Sequence, residues 1–118
     1  SAKGTKKRIL EIAETGVTAV VCISDLLACT AVKELIRAGY SVPEDISVTG
    51  YDNLPPSEYS QPPITTLSQN RIHIGKTTFF MLQQMKNGIH IKSLMLRPEL
   101  IERESVREIC SRELPKEK

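Results

Sequence analysis

Residues 18–50 constrain the fold more than any other stretch of this chain, because two short β-branched runs flank a run with helical period. Residues 18–23 (TAVVCI) are almost continuously apolar, the pattern of a strand buried on both faces. Ser24-Asp25 ends that run, and Asp25 is placed as a helix N-cap. Leu27, Ala28, Ala31, Val32, Leu35 and Ala38 then form a broad apolar stripe that stops at Gly39. After a turn carrying Pro43, residues 46–49 (ISVT) read as a second strand ending at Gly50. Strand, helix and strand at this spacing make a βαβ unit, whose strands run parallel.

The remaining segments fit around that unit. Residues 5–14 carry Ile9, Leu10 and Ala13 at helical spacing, with Gly16 as the stop. Four prolines, Pro55, Pro56, Pro62 and Pro63, predict an irregular loop over residues 53–63. Residues 64–67 suit an extended segment, and Ser68 or Asn70 opens a further helix. On it Ile74, Thr78, Met81, Leu82 and Met85 share a face flanked by Phe79, with Asn87-Gly88 as the stop. Residues 93–96 and 99–103 are strand candidates around Pro98, and residues 107–118 hold too few apolar groups to pack. Helices alternating with short buried strands imply an α/β fold with a mainly parallel sheet.

Composition narrows the function. With 118 residues, 40% of them hydrophobic and 25% charged, the chain has the balance of one globular domain. Its net charge of +2 includes no basic stripe to follow DNA phosphates. Cys22, Cys29 and Cys110 lack the spacing of a metal knuckle or redox pair, so thiols in a reducing cytoplasm are expected. His73 and His90 stand alone and are expected at the surface rather than on a metal. No signal peptide or membrane span is read, and a chain that opens on Ser1 is expected to be a fragment.

In an open parallel sheet, ligands sit beyond the carboxyl ends of the strands. Here that places Ser24-Asp25 at one strand end and Tyr51-Asp52-Asn53 at the next, with two acidic groups facing one crevice. Carboxylates and amides there suit a sugar, nucleoside or purine-like ligand better than a phosphate. The structural alternatives are that Asp25 only caps its helix, that Asp52-Asn53 only starts the proline loop, and that Gln69 is an exposed helix-start residue. No nucleophile motif of the Gly-x-Ser-x-Gly kind and no glycine-rich phosphate loop occurs, so neither an enzyme nor a cofactor is expected.

Residues 18–53 (TAVVCISDLLACTAVKELIRAGYSVPEDISVTGYDN), followed by QPPITTLSQN, IGKTTFFMLQQMKNG and PELIERESV, resemble the carboxyl-terminal half of LacI/GalR transcriptional regulators. The likeness runs from about Thr18 to Val106 in the family's order and spacing. It implies an incomplete parallel-sheet, three-layer subdomain of a periplasmic-binding-protein-like (type I) fold. By the resemblance, residues 1–70 form most of the carboxyl-terminal effector subdomain, and residues 71–92 a helix of the missing amino-terminal one. Residues 93–106 are then a crossover and return, and 107–118 a tail.

It also implies that Ser24, Asp25, Asp52, Asn53 and Gln69 face a small-molecule effector, and that Leu26, Cys29, Pro55 and Ser60 lie on surfaces used to form a homodimer or higher homo-oligomer. Ser24 departs from the asparagine common at that position in sugar-responsive members. Operator DNA would be bound through a headpiece absent from this chain, in the cytoplasm and away from membranes. The alternative from another class is a periplasmic sugar-binding protein of a transporter, with a small α/β enzyme ranked last.

Overall fold

The βαβ unit forms where the apolar spacing requires it. The computed structural model describes the backbone of residues 2–110 and the side chains of residues 4–110. In chain order the elements are α1 (Ala2–Glu14), β1 (Ala19–Val21), α2 (Asp25–Arg37), β2 (Ser47–Thr49), α3 (Pro55–Tyr59), β3 (Thr66–Ser68), α4 (Arg71–Lys86) and β4 (Glu99–Ile101). β1 and β2 are parallel, with Val20 opposite Val48. On its other edge β2 is bonded to two later segments: Val48 N–H donates to Ser105 O at 2.8 Å and Gly50 N–H to Thr65 O at 2.9 Å. β3 then pairs antiparallel with β4, Leu67 opposite Leu100. The fold is thus α/β, with its parallel part at β1, β2 and the Thr49–Thr65 bridge.

One core holds α1, β1, α2 and β2 together. Ile9 and Ala13 of α1, Ala28, Ala31, Val32 and Leu35 of α2, and Val48 of β2 are buried in it, joined by Cys22, Val42, Ile46 and Ile64. Fully burying a Leu or Val side chain contributes roughly 1.5–3 kcal/mol, so Leu35, Val32 and Val48, all at most 1% exposed, anchor helix to sheet. At the rim, Glu34 of α2 clamps α1. Lys6 Nζ lies 3.0 Å from its Oε2, and Arg37 Nη1 lies 2.9 Å from its Oε1.

Several expectations need correction. β1 is buried on one face only: Val20 and Cys22 point to the core, whereas Val21 is 82% and Ile23 85% exposed, because no described element covers the second face. Helix α1 starts at Ala2 rather than at residue 5. The proline segment contains α3, since prolines at the first helical positions lack only N–H groups that would be unpaired anyway. Residues 93–96 form no strand, and β4 is shorter than residues 99–103.

On α4 the half-buried residues are Ile74, Thr77, Met81 and Gln84, while Thr78, Leu82 and Met85 of the expected face are exposed. Helix α4 buries no residue at all. The expected loose tail begins instead with an anchored Arg107, whose N–H donates to Ser47 Oγ at 3.2 Å and whose Nε donates to Glu44 O at 2.7 Å. Its residues 111–118 lie outside the described residues.

Candidate functional site

Three strand ends converge on one loop. β1 runs out at Ser24, β2 at Gly50 to Asn53, and β3 at Gln69. Backbone bonds join them, with Asp25 N–H donating to Tyr51 O at 2.9 Å and Asp52 N–H to Leu67 O at 2.8 Å. Loops that diverge beyond parallel strand ends leave a crevice no strand can fill, which is why ligands collect there.

Asp25 differs from both of its expected roles in how it is placed. Ser24 is the N-cap, its Oγ accepting from Leu27 N–H at 3.3 Å, and Asp25 is the first helical residue. The Asp25 carboxylate has no exposed surface. Its Oδ2 accepts from Leu54 N–H at 2.6 Å, and its Oδ1 accepts from Thr66 Oγ1–H, also at 2.6 Å. A buried carboxylate is tolerated when hydrogen-bonded in this way, and here it ties α2 to the loop and to β3. Gly50 makes the approach possible, because a Cβ there would run into Asp25 Oδ1 and lie 3.2 Å from the Asp25 Cα.

Asp52 and Asn53 are half-buried and adopt φ angles of 101° and 50°. Non-glycine residues in such regions cost about 1–3 kcal/mol each unless their surroundings hold them. They are held by Asp52 N–H on one side and by the Asn53 side chain on the other, whose Oδ1 accepts from Arg103 Nη2 at 2.8 Å. Gln69 Nε2 donates to Asp52 Oδ1 at 3.4 Å, a long contact that leaves the carboxylate with capacity to accept. Beside this pair Tyr51, Gln69, Ile74, Leu94, Leu96 and Pro98 line a hollow of about 240 Å³. So Asp52, Asn53 and Gln69 come together, while Ser24 sits at the neighbouring strand end with its hydroxyl engaged in its own helix.

Arg103, Thr66 and Ser57 were not singled out in the sequence. Each acts through a contact more than forty residues from its chain position or through a buried hydroxyl, and no local spacing marks such partners. The strand expected over residues 99–103 and the PELIERESV segment of the resemblance contain Arg103 but gave it no role.

The expected interface residues lie at the surface or close to it. Leu26 is 59% exposed, Pro55 is exposed, and Cys29 and Ser60 line one groove of about 420 Å³ with Val32 and Ile36. Cys29 Sγ–H donates to Pro56 O at 3.5 Å, which fastens α2 to α3. Burial, reinforced by the nearby Asp25 charge, raises the Cys29 thiol above its ordinary range. Burial also pushes Cys22 up to about 11. Both are therefore protonated, unreactive thiols at neutral pH.

A family model described as a periplasmic binding protein-like domain matches residues 2–106. The chain is 38% identical over 109 residues to the HTH-type transcriptional repressor PurR of Aliivibrio fischeri (strain MJ11), covering 90% of this chain and 32% of that protein. It therefore spans about a third of the length of that relative. Among solved structures, the lac repressor dimer bound to operator and the anti-inducer ONPF matches with a TM-score of 0.80 at 29% identity, covering 90% of this chain and 38% of that one. The transcriptional regulator CelR in complex with cellobiose matches with a TM-score of 0.77 at 29% identity, covering 89% and 33%.

Proposed function

Because the chain belongs to the periplasmic binding protein-like family, we propose that it forms one wall of the effector cleft of a LacI-type transcriptional repressor. The observation that carries this reading is Asp52, held at φ 101° beside Gln69 at the meeting point of three strand ends. A carboxylate and a carboxamide there accept from and donate to hydroxyls or ring nitrogens, so the effector class is a sugar or a nucleoside or purine. Ser24, Asn53 and Gln69 complete the ligand-facing set, and Asp25 supports it from below. Leu26, Cys29, Pro55 and Ser60 belong to a homodimer face, and helix α4 belongs to the second subdomain of the cleft. The whole protein works in the cytoplasm, binding operator DNA through a headpiece outside this chain, and its effector changes the relative orientation of the two subdomains.

The test starts from a thermal-shift screen of sugars, nucleosides and purines on the full-length natural protein. With the stabilising compound in hand, Asp52→Ala should weaken binding tenfold or more by calorimetry, about 1.5–3 kcal/mol. An unchanged affinity in a folded variant removes Asp52 from the site.

A further inference from the structure

Arg103 lies far from the strand-end loop in sequence, yet its half-buried guanidinium reaches into it. Nη2 donates to Asn53 Oδ1 at 2.8 Å, and Nη1 donates to Ile64 O at 2.9 Å and to Ser57 Oγ at 3.2 Å. Its backbone N–H donates to Thr65 Oγ1 at 2.9 Å. Ser57, fully buried in α3, passes the connection on, its Oγ donating to Leu54 O at 2.7 Å. One planar group thus touches the residue after Asp52, the buried serine of α3 and the segment leading into β3.

Among the described residues the Asp52 carboxylate has only the long Gln69 contact, so its direction is set by the backbone on either side. Upstream that backbone is fixed by the Asp52 N–H bond to Leu67 O. Downstream, Asn53 sits at φ 50° with its side chain on Arg103. We propose that Arg103 is the positioning residue of the ligand loop, its fork fixing Asp52-Asn53 in the left-handed geometry and, through Ser57, making loop and α3 one rigid unit. Arginine suits the task because its planar fork holds its donors in fixed directions. That the loop so positioned faces an effector rests on the reading above, whereas the positioning itself does not.

Amide hydrogen exchange on the full-length protein tests this without any ligand. Arg103→Lys keeps the charge but loses the fork. Asn53→Gly removes the acceptor at a φ that glycine adopts freely, and Asn53→Asp keeps the acceptor. Arg103→Lys and Asn53→Gly should each speed exchange at the Asp52 and Leu54 amides about tenfold, and Arg103→Lys should also speed it at Ser57. The double variant should be no faster in the loop than Arg103→Lys alone, and Asn53→Asp should stay slow. The amides of Cys22 and Ser47, bonded to Thr49 O and Thr18 O, should not change.

Unchanged loop rates in Arg103→Lys, additive effects in the double variant, or an equal rise at Cys22 and Ser47 would each overturn the proposal. Where Arg103→Lys does not fold, Asn53→Gly against Asn53→Asp decides, and equal rates overturn it. A loop that loosens as stated, in a protein that binds no sugar, nucleoside or purine, leaves the positioning role standing and removes the ligand reading.

Discussion

Helices α2 and α4 carry the same local instructions and meet different fates. Each is opened by a short polar side chain accepting from a backbone N–H, Ser24 from Leu27 and Asn70 from His73. Each is followed by a glycine at positive φ, Gly39 at 93° and Gly88 at 76°. Yet α2 buries Asp25, Ala28, Ala31, Val32, Glu34 and Leu35, and α4 buries nothing. Caps and helix propensity supply a start and a stop, while burial requires a partner surface. For α2 that surface is the parallel pair β1–β2 together with α1. For α4 the described residues supply only Ile74 and its neighbours at the hollow beside Tyr51.

The sharpest way to break this contrast is a matched pair of truncations. Leu35→Ala should cost about 2–5 kcal/mol in denaturant unfolding, as cavities in a close-packed core do. Leu82→Ala, at a side chain 58% exposed, should stay within about 0.5 kcal/mol when the chain is dilute enough to be monomeric. Equal losses at the two positions under those conditions would mean that α4 is covered within a single chain.

Next in size, Gly50→Ala should lower stability by about 1–3 kcal/mol, because the new Cβ overlaps Asp25 and meets backbone that cannot yield. Unfolding midpoints of Gly50→Ala and Gly75→Ala provide the control, since a Cβ at Gly75 meets nothing within 4 Å.

The uncovered helix makes its own prediction. Ile72, Phe79, Phe80, Leu82 and Met85 are all exposed, and an apolar patch of this kind finds a partner. The 118-residue chain should therefore self-associate in sedimentation across a concentration series. Leu82→Lys should lower the degree of association, and any dimer that remains should respond to changes on the Leu26 and Cys29 face instead. A chain that stays monomeric at high concentration contradicts the comparison.

The smallest effect concerns the clamp between α1 and α2. The Lys6 ammonium beside Oε2, followed by the Arg37 guanidinium on Oε1, holds the Glu34 carboxyl below its ordinary range. A depressed carboxyl pKa contributes stability above the unfolded value, and that contribution is lost as pH falls through the folded one. Acid titration of stability should therefore show a component below the usual carboxylate range that is absent in Glu34→Gln.

Much of the packed body was legible in the sequence because it is built from local patterns. The β-branched runs at residues 18–23 and 46–49, the stripe on α2 and the glycine stops each follow from periodicities that a chain carries with it. The resemblance carried by residues 18–106 extended this to fold class and family, and the matches bear both out. The loop at Asp52-Asn53 was legible as a strand end but not as a strained turn, since asparagine and aspartate enter many turn types.

Only the tertiary structure decided which face of β1 is covered, that Ser24 rather than Asp25 caps α2, and that Asp25 is buried under Leu54 N–H and Thr66. It alone brought Arg103 to Asn53 across the chain. The physical reason is the same in each case. Periodicity reports how a segment bonds to itself, whereas burial and long-range hydrogen bonds depend on what another segment places opposite it.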